Sequence, residues 1–111
     1  MPYGSGPVHE LAATLFRVLG HPARVRILEL LRDGERSVGA LQAELGLDSG
    51  GTSQHLAALR QIGLVESRRE GPSVFYRVDD ERVFDLLAVG RAIITRRLTE
   101  QQAILRELEA T

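Results

Sequence analysis

Glycines at positions 20, 34, 46 and 63 cut the first two thirds of this chain into short segments, each with apolar residues at helical spacing. Val8, Leu11, Leu15, Val18 and Leu19 share one face, which predicts a first helix over 8–19. Gly20 suits its exit, and Pro22 suits the first turn of the next helix, where a missing N–H costs nothing. That second helix is expected to run to about 33, with Val25, Ile27, Leu28, Leu30 and Leu31 inward and Gly34 ending it. Ser37 is a good N-cap for a short third helix through Val38, Leu41 and Leu45, closed by Gly46. Asp48-Ser49-Gly50-Gly51-Thr52 reads as a turn rich in capping residues, and a fourth helix is expected over 52–62 before Gly63.

The period then shortens. Residues 64–69 and 73–78 are strand-like, and Glu70-Gly71-Pro72 supplies a turn between them. Asp79-Asp80 suits the start of a last, long helix in which Val83, Leu87, Ile94, Leu98, Leu105 and Leu108 form an apolar stripe flanked by Leu86, Val89 and Ile93. The expected fold is mainly α with a small β-hairpin, in the order α-α-α-α-β-β-α. Two short helices joined through a glycine turn and followed directly by a hairpin make a winged helix-turn-helix. The expected organisation is a flexible arm over 1–7 and one domain over 8–111. Within it the helix-turn-helix spans about 37–63, the wing about 64–78 and a dimerisation helix about 80–109.

Composition narrows the function classes. A chain of 111 residues with three Phe and two Tyr buries a small core, to which dimerisation would add. Hydrophobic residues at 43% and charged ones at 26% exclude disordered and fibrous classes. The absence of Cys excludes disulfides, thiolate metal sites, redox switches and Cys nucleophiles. The first ten residues lack the basic start and apolar stretch of a secretory signal, and no apolar run approaches the roughly 20 residues of a spanning helix. A cytoplasmic protein with no membrane partner is expected. All 14 basic residues are Arg, against 15 acidic ones, for a net charge of -1. Nucleic-acid contact must therefore come from a local patch.

That patch is found in the middle. Residues 49–78 carry Arg60, Arg68, Arg69 and Arg77 against Glu66 and Glu70, whereas the segments on either side are net negative. On a helical wheel, Leu56, Leu59 and Gly63 fall on the core side of the fourth helix with Thr52. Ser53, Gln54, Ala57, Ala58 and Gln61 make a neutral outer arc without bulky side chains. A helix in a major groove needs such an arc: short side chains for close approach, amides and hydroxyls for base edges. Any solvated amphipathic helix also has small polar residues outside, so the neighbouring short helix, glycine turn and hairpin carry the inference. Base discrimination is expected from Ser53 and Gln54, helped by Thr52 and His55. Phosphate attraction is expected from Arg60, Arg68, Arg69 and Arg77, with Arg68 and Arg69 beside the Gly71-Pro72 tip.

His21-Pro22-x-Arg24-x-Arg26-Ile27-Leu28-x-Leu30-Leu31, then Ser53-Gln54-His55-Leu56-x-x-Leu59-Arg60-x-x-Gly63-Leu64-Val65, and Arg69-x-Gly71-x-x-Val74-x-Tyr76 in the wing resemble the ArsR/SmtB family of bacterial transcription regulators over residues 10 to 98. The resemblance implies a homodimeric winged-helix repressor on an inverted-repeat operator, with dimerisation through the first and last helices. Leu11, Leu15, Leu87, Ile94 and Leu98 are the expected dimer contacts. Many members bind metal through Cys on the third helix, where this chain has Arg36-Ser37-Val38-Gly39-Ala40-Leu41. Others use His and acidic pairs on the last helices, but this chain has no His after Asp79. Neither metal site carries over, and no cofactor is evident. His9, with Glu10 or the N-terminal amine, is a weak nickel or zinc candidate. His21 is expected to be structural, and His55 to contact DNA or pack.

The leading expectation is a DNA-binding regulator that meets half-sites about 10–10.5 bp apart. Its signal would come from a partner protein, an unidentified small molecule or no effector. The alternatives are a winged-helix protein-interaction module whose fourth helix is idle, or a regulator controlled by a co-regulatory protein and linked to a nickel or zinc response. No motif sets a nucleophile beside a base or builds a phosphate loop, so an enzyme is not expected.

Overall fold

The computed structural model describes residues 6–111. They fall into two compact units divided between Glu81 and Arg82. In the first unit, α1 (Pro7–Leu19), α2 (Pro22–Leu30), β1 (Arg36–Ser37), α3 (Val38–Leu45), α4 (Ser49–Gln61), β2 (Glu66–Glu70) and β3 (Ser73–Arg77) follow in order. The second unit is one helix, α5 (Arg82–Ala110). The mainly helical winged helix-turn-helix expected from the sequence is the fold observed.

Local chemistry explains most boundaries. Pro7 and Pro22 open α1 and α2. The expected arm over 1–7 falls mostly outside the described residues, and Gly6 and Pro7 already form the start of α1. His21 caps α2 by accepting the Ala23 N–H at Nδ1 (3.1 Å), and Ser37 caps α3 by accepting the Ala40 N–H (3.1 Å). Gly46 closes α3 in the left-handed conformation, at φ 66°. Helix α2 stops at Leu30, short of the expected 33, and a turn takes over before Gly34, whose φ of 134° ends any helical path.

The fourth helix begins earlier than expected. Asp48 accepts the Gly51 N–H at 2.7 Å, so Ser49, Gly50 and Gly51 form the first turn of α4 rather than a loop before it. The expected hairpin forms, but β2 starts at Glu66 rather than 64 and takes in Glu70, which pairs with Ser73 around the Gly71-Pro72 tip. Strand β1 was not anticipated. It pairs Arg36 with Tyr76 and Ser37 with Phe75, making an antiparallel sheet ordered β1-β3-β2 that ties the wing to the start of α3.

Ile27 and Leu28 of α2, Leu41 of α3, Leu56 and Leu59 of α4, and Val65 before the wing are fully buried. This core fixes which side of α4 looks outward. Leu56→Ala is expected to lower unfolding free energy by about 2–5 kcal/mol, measured by denaturant titration.

Helix α5, taken by itself, is 29 residues long. Val83 is its buried residue, whereas Val89, Ile93, Ile94, Leu98, Ile104, Leu105 and Leu108 are 54–67% exposed. Among the described residues no helix is long and apolar enough to cross a membrane.

Candidate nucleic-acid interface

Helix α4 separates its faces as its spacing requires. Thr52, Leu56 and Leu59 are buried, and Ser53, Gln54, Ala57, Arg60 and Gln61 are exposed. Ser53 borders an open groove that it shares with Ser37, Val38 and Gly39 of the α3 start and Pro72, Ser73, Val74 and Tyr76 of the wing. The groove brings three chain segments to one side of the unit. The sequence offers Ser37 as a cap and Tyr76 as part of the wing motif, but only the sheet register places them, with Ser73, beside Ser53 in one groove.

The same register sorts the arginines. Side chains on a strand alternate between faces. Arg69 lies opposite Val74, and Ser67 opposite Tyr76, so Arg69 shares the face of the groove-lining residues. Arg68 lies opposite Phe75 on the other face, and Arg77 follows Phe75 by two residues. There Arg68 donates to both carboxylate oxygens of Glu35 (2.8 and 2.9 Å from Nε), bonds Glu70 at 2.7 Å, and sits 4.6 Å from the Phe75 ring centre. Hydrogen bonding from Arg68 holds the Glu35 carboxyl below its ordinary pKa, and Glu35 and Glu70 in turn raise that of Arg68. Arg77 donates to Asp79 at 2.8 Å.

Two of the expected phosphate-binding arginines are therefore already ion-paired with carboxylates on the face away from the groove. Arg68 fastens the wing to the segment after α2, and Arg77 is tied to the residues before α5. Arg60 and Arg69 make no ion pair among the described residues and remain exposed.

Two residues expected near the bases are also reassigned. Thr52 is fully buried, and its hydroxyl donates to the Asp48 carbonyl at 3.0 Å, so it braces the helix start and cannot reach a base. His55 is half-buried: its Nδ1 accepts from Arg24 Nε at 3.1 Å, and its ring lies 4.3 Å from that of His21. Burial, then the charges of His21 and Arg24, push its pKa below the ordinary value. Packing is thus the role the geometry gives His55. His9 is exposed in α1, and among the described residues no group of three or more His, Cys, Asp or Glu is placed to hold a metal ion.

Comparison with known proteins fits this architecture. Residues 21–67, from the α2 cap into β2, match the family described as bacterial regulatory protein, arsR family. The HTH-type transcriptional regulator Rv0081 of Mycobacterium tuberculosis is 43% identical over 96% of this chain and 94% of its own length. The chain belongs to the arsR family. The Rv0081 crystal structure superposes with a TM-score of 0.80, covering 87% of this chain and 98% of the other. The biofilm growth-associated repressor of Agrobacterium fabrum is 40% identical over 73% of this chain and 69% of its own length. The homodimeric winged helix-turn-helix DNA-binding domain of Mb0332 from Mycobacterium bovis, solved in solution, is 32% identical with a TM-score of 0.75. That match covers 89% of this chain and 95% of the Mb0332 domain. Like these relatives, the chain is a helix-turn-helix transcriptional regulator.

Proposed function

We propose that the protein is a homodimeric, cytoplasmic repressor that reads a roughly palindromic operator with one α4 in each of two successive major grooves. The observation that carries this is the outward ridge of α4: neutral Ser53, Gln54, Ala57 and Gln61, flanked by unpaired Arg60 and by Arg69 on the groove side of the wing. Gln54 can pair bidentately with adenine, Ser53 can serve a base or a phosphate, and the two arginines attract phosphates. Within the first unit, exposed Val8, Leu11 and Phe16 of α1 with half-buried Leu15 offer apolar surface to a second copy, and within α5, taken by itself, exposed Ile94 and Leu98 with half-buried Leu87 do the same. The homodimeric Mb0332 domain supports the same assembly. Neither catalysis nor a bound cofactor has a part in this reading.

Selection of bound sequences from random DNA tests it, run with zinc, nickel or a chelator. The expected product is an inverted repeat with half-site centres about 10–10.5 bp apart, unchanged by the metal or the chelator. No enriched sequence would reject the reading. The wing assignment makes a separate forecast. Arg69→Ala should lower the slope of log affinity against log salt by about 1 per bound copy, because one phosphate contact is lost. Arg68→Ala should leave that slope nearly unchanged, since its charge is spent on Glu35 and Glu70; a larger change for Arg68 would contradict the assignment.

A further inference from the structure

His55 stands in the reading helix beside Gln54, yet its ring belongs to an internal cluster. Arg24 of α2 donates from Nε to His55 Nδ1 at 3.1 Å and from Nη1 to the Val18 carbonyl of α1 at 3.3 Å. One guanidinium thus links α1, α2 and α4. His21, the cap of α2, packs its ring against that of His55 at a tilt of 51° while its own Nδ1 accepts the Ala23 N–H. With Nδ1 committed as an acceptor, a neutral His55 must carry its proton on Nε2. A second proton would have to occupy Nδ1, and Arg24 could then no longer donate there.

We propose that His55 is a positioning residue whose hydrogen bond from Arg24 sets the pose of α4, and that acid releases this bond and weakens DNA binding. The inference rests on the DNA-binding reading above and adds to it a proton-sensitive control of the reading helix.

The surrounding charges favour release rather than compensation. From α2, the groups bearing on the imidazole are His21 and the Arg24 cation, both of which oppose a positive His55. From α1 the cluster receives the Val18 carbonyl, already used by Arg24, and Arg17 is exposed. Helix α3 carries Glu44 as its one ionisable residue, and it is exposed; Arg60 of α4 is exposed as well. No carboxylate is among the groups that shift His55. Since the folded value is depressed, the bond's contribution is complete above the ordinary histidine pKa of about 6.5 and is lost as pH falls from there through the folded value.

The test uses the full chain and the duplex enriched from random sequences at pH 8. Wild-type affinity is expected to hold from pH 8 to about 6.5 and to fall below that, by up to about tenfold per pH unit for each bound copy. General electrostatics predicts the opposite sign, because a protein gaining positive charge binds DNA more tightly. His55→Asn, whose Oδ1 accepts from Arg24 at every pH, should bind with a flat profile. His21→Asn keeps an Asn cap on α2 and should retain the wild-type fall. A wild-type affinity that holds or rises in acid, an unaltered fall in His55→Asn, or a fall abolished by His21→Asn would each overturn the proposal. Imidazole and amide NMR of the wild-type chain tests the cluster without DNA or variants. His55 should titrate below 6.5 from the Nε2–H tautomer, with α4 amides moving along the same curve. A His55 that titrates at or above 6.5, or α4 amides that ignore it, would overturn the proposal even where no duplex is enriched and the DNA-binding reading has failed.

Discussion

Replacing Gln54 with alanine is expected to weaken binding to the selected operator by about 1–3 kcal/mol for each bidentate base contact, roughly fivefold to 150-fold, while leaving affinity for random duplex nearly unchanged. The side chain is exposed on the neutral ridge of α4 and carries both a donor and an acceptor for an adenine edge. Alanine preserves helix propensity and removes no charge, so neither folding nor the salt slope should move. With two copies on a palindrome the loss is expected at both half-sites. The measurement is the ratio of Kd values for operator and random DNA at one fixed salt concentration. An equal loss on both duplexes would mean that Gln54 contacts backbone or nothing, and that specificity lies elsewhere on the ridge.

A charge in the apolar stripe of α5 is expected to act on a larger scale. Leu98 is 54% exposed, and Ile94, one turn before it, is 59% exposed. Under two-fold symmetry a single Leu98→Glu introduces two carboxylates into one self-complementary interface. Each must be desolvated without a partner, at a cost of several kcal/mol, and the burial of two leucines is lost as well. Sedimentation should therefore show a monomer at concentrations where the wild type is dimeric. Affinity for the palindrome should drop by at least about a hundredfold, because each head then binds its half-site alone. The core of the first unit, Ile27, Leu28, Leu41, Leu56, Leu59 and Val65, is untouched, so helical content should persist. A variant that remains dimeric would remove α5 from the interface.

Much of this architecture could be read from single residues whose chemistry is local. Ser37 caps α3, Gly46 and Gly63 take positive φ after their helices, and Gly71 turns the wing, each for a reason visible within four residues. The failures share another cause. Gly50 and Gly51 disfavour helix by propensity, yet the Asp48 cap draws them into α4. Strand β1 is two residues long and exists only because β3 offers an edge. Thr52 lies on the core side of the wheel, and a hydroxyl at the start of a reading helix also suits DNA; its burial decides for the core. Arg68 and Arg69 are indistinguishable as neighbours in sequence. Which one meets solvent and which meets Glu35 is settled by pairing with β3 and by a contact 33 residues away.

That long-range contact bears on the thermodynamics of association. With Glu35, Glu70 and Phe75 gripping Arg68, and β1 stitched along β3, the hairpin has its orientation before any duplex arrives. Little chain entropy should then be surrendered at the moment of contact. Calorimetry of complex formation should accordingly give the heat-capacity change of docking preformed surfaces, without the larger one that accompanies a segment folding onto its target.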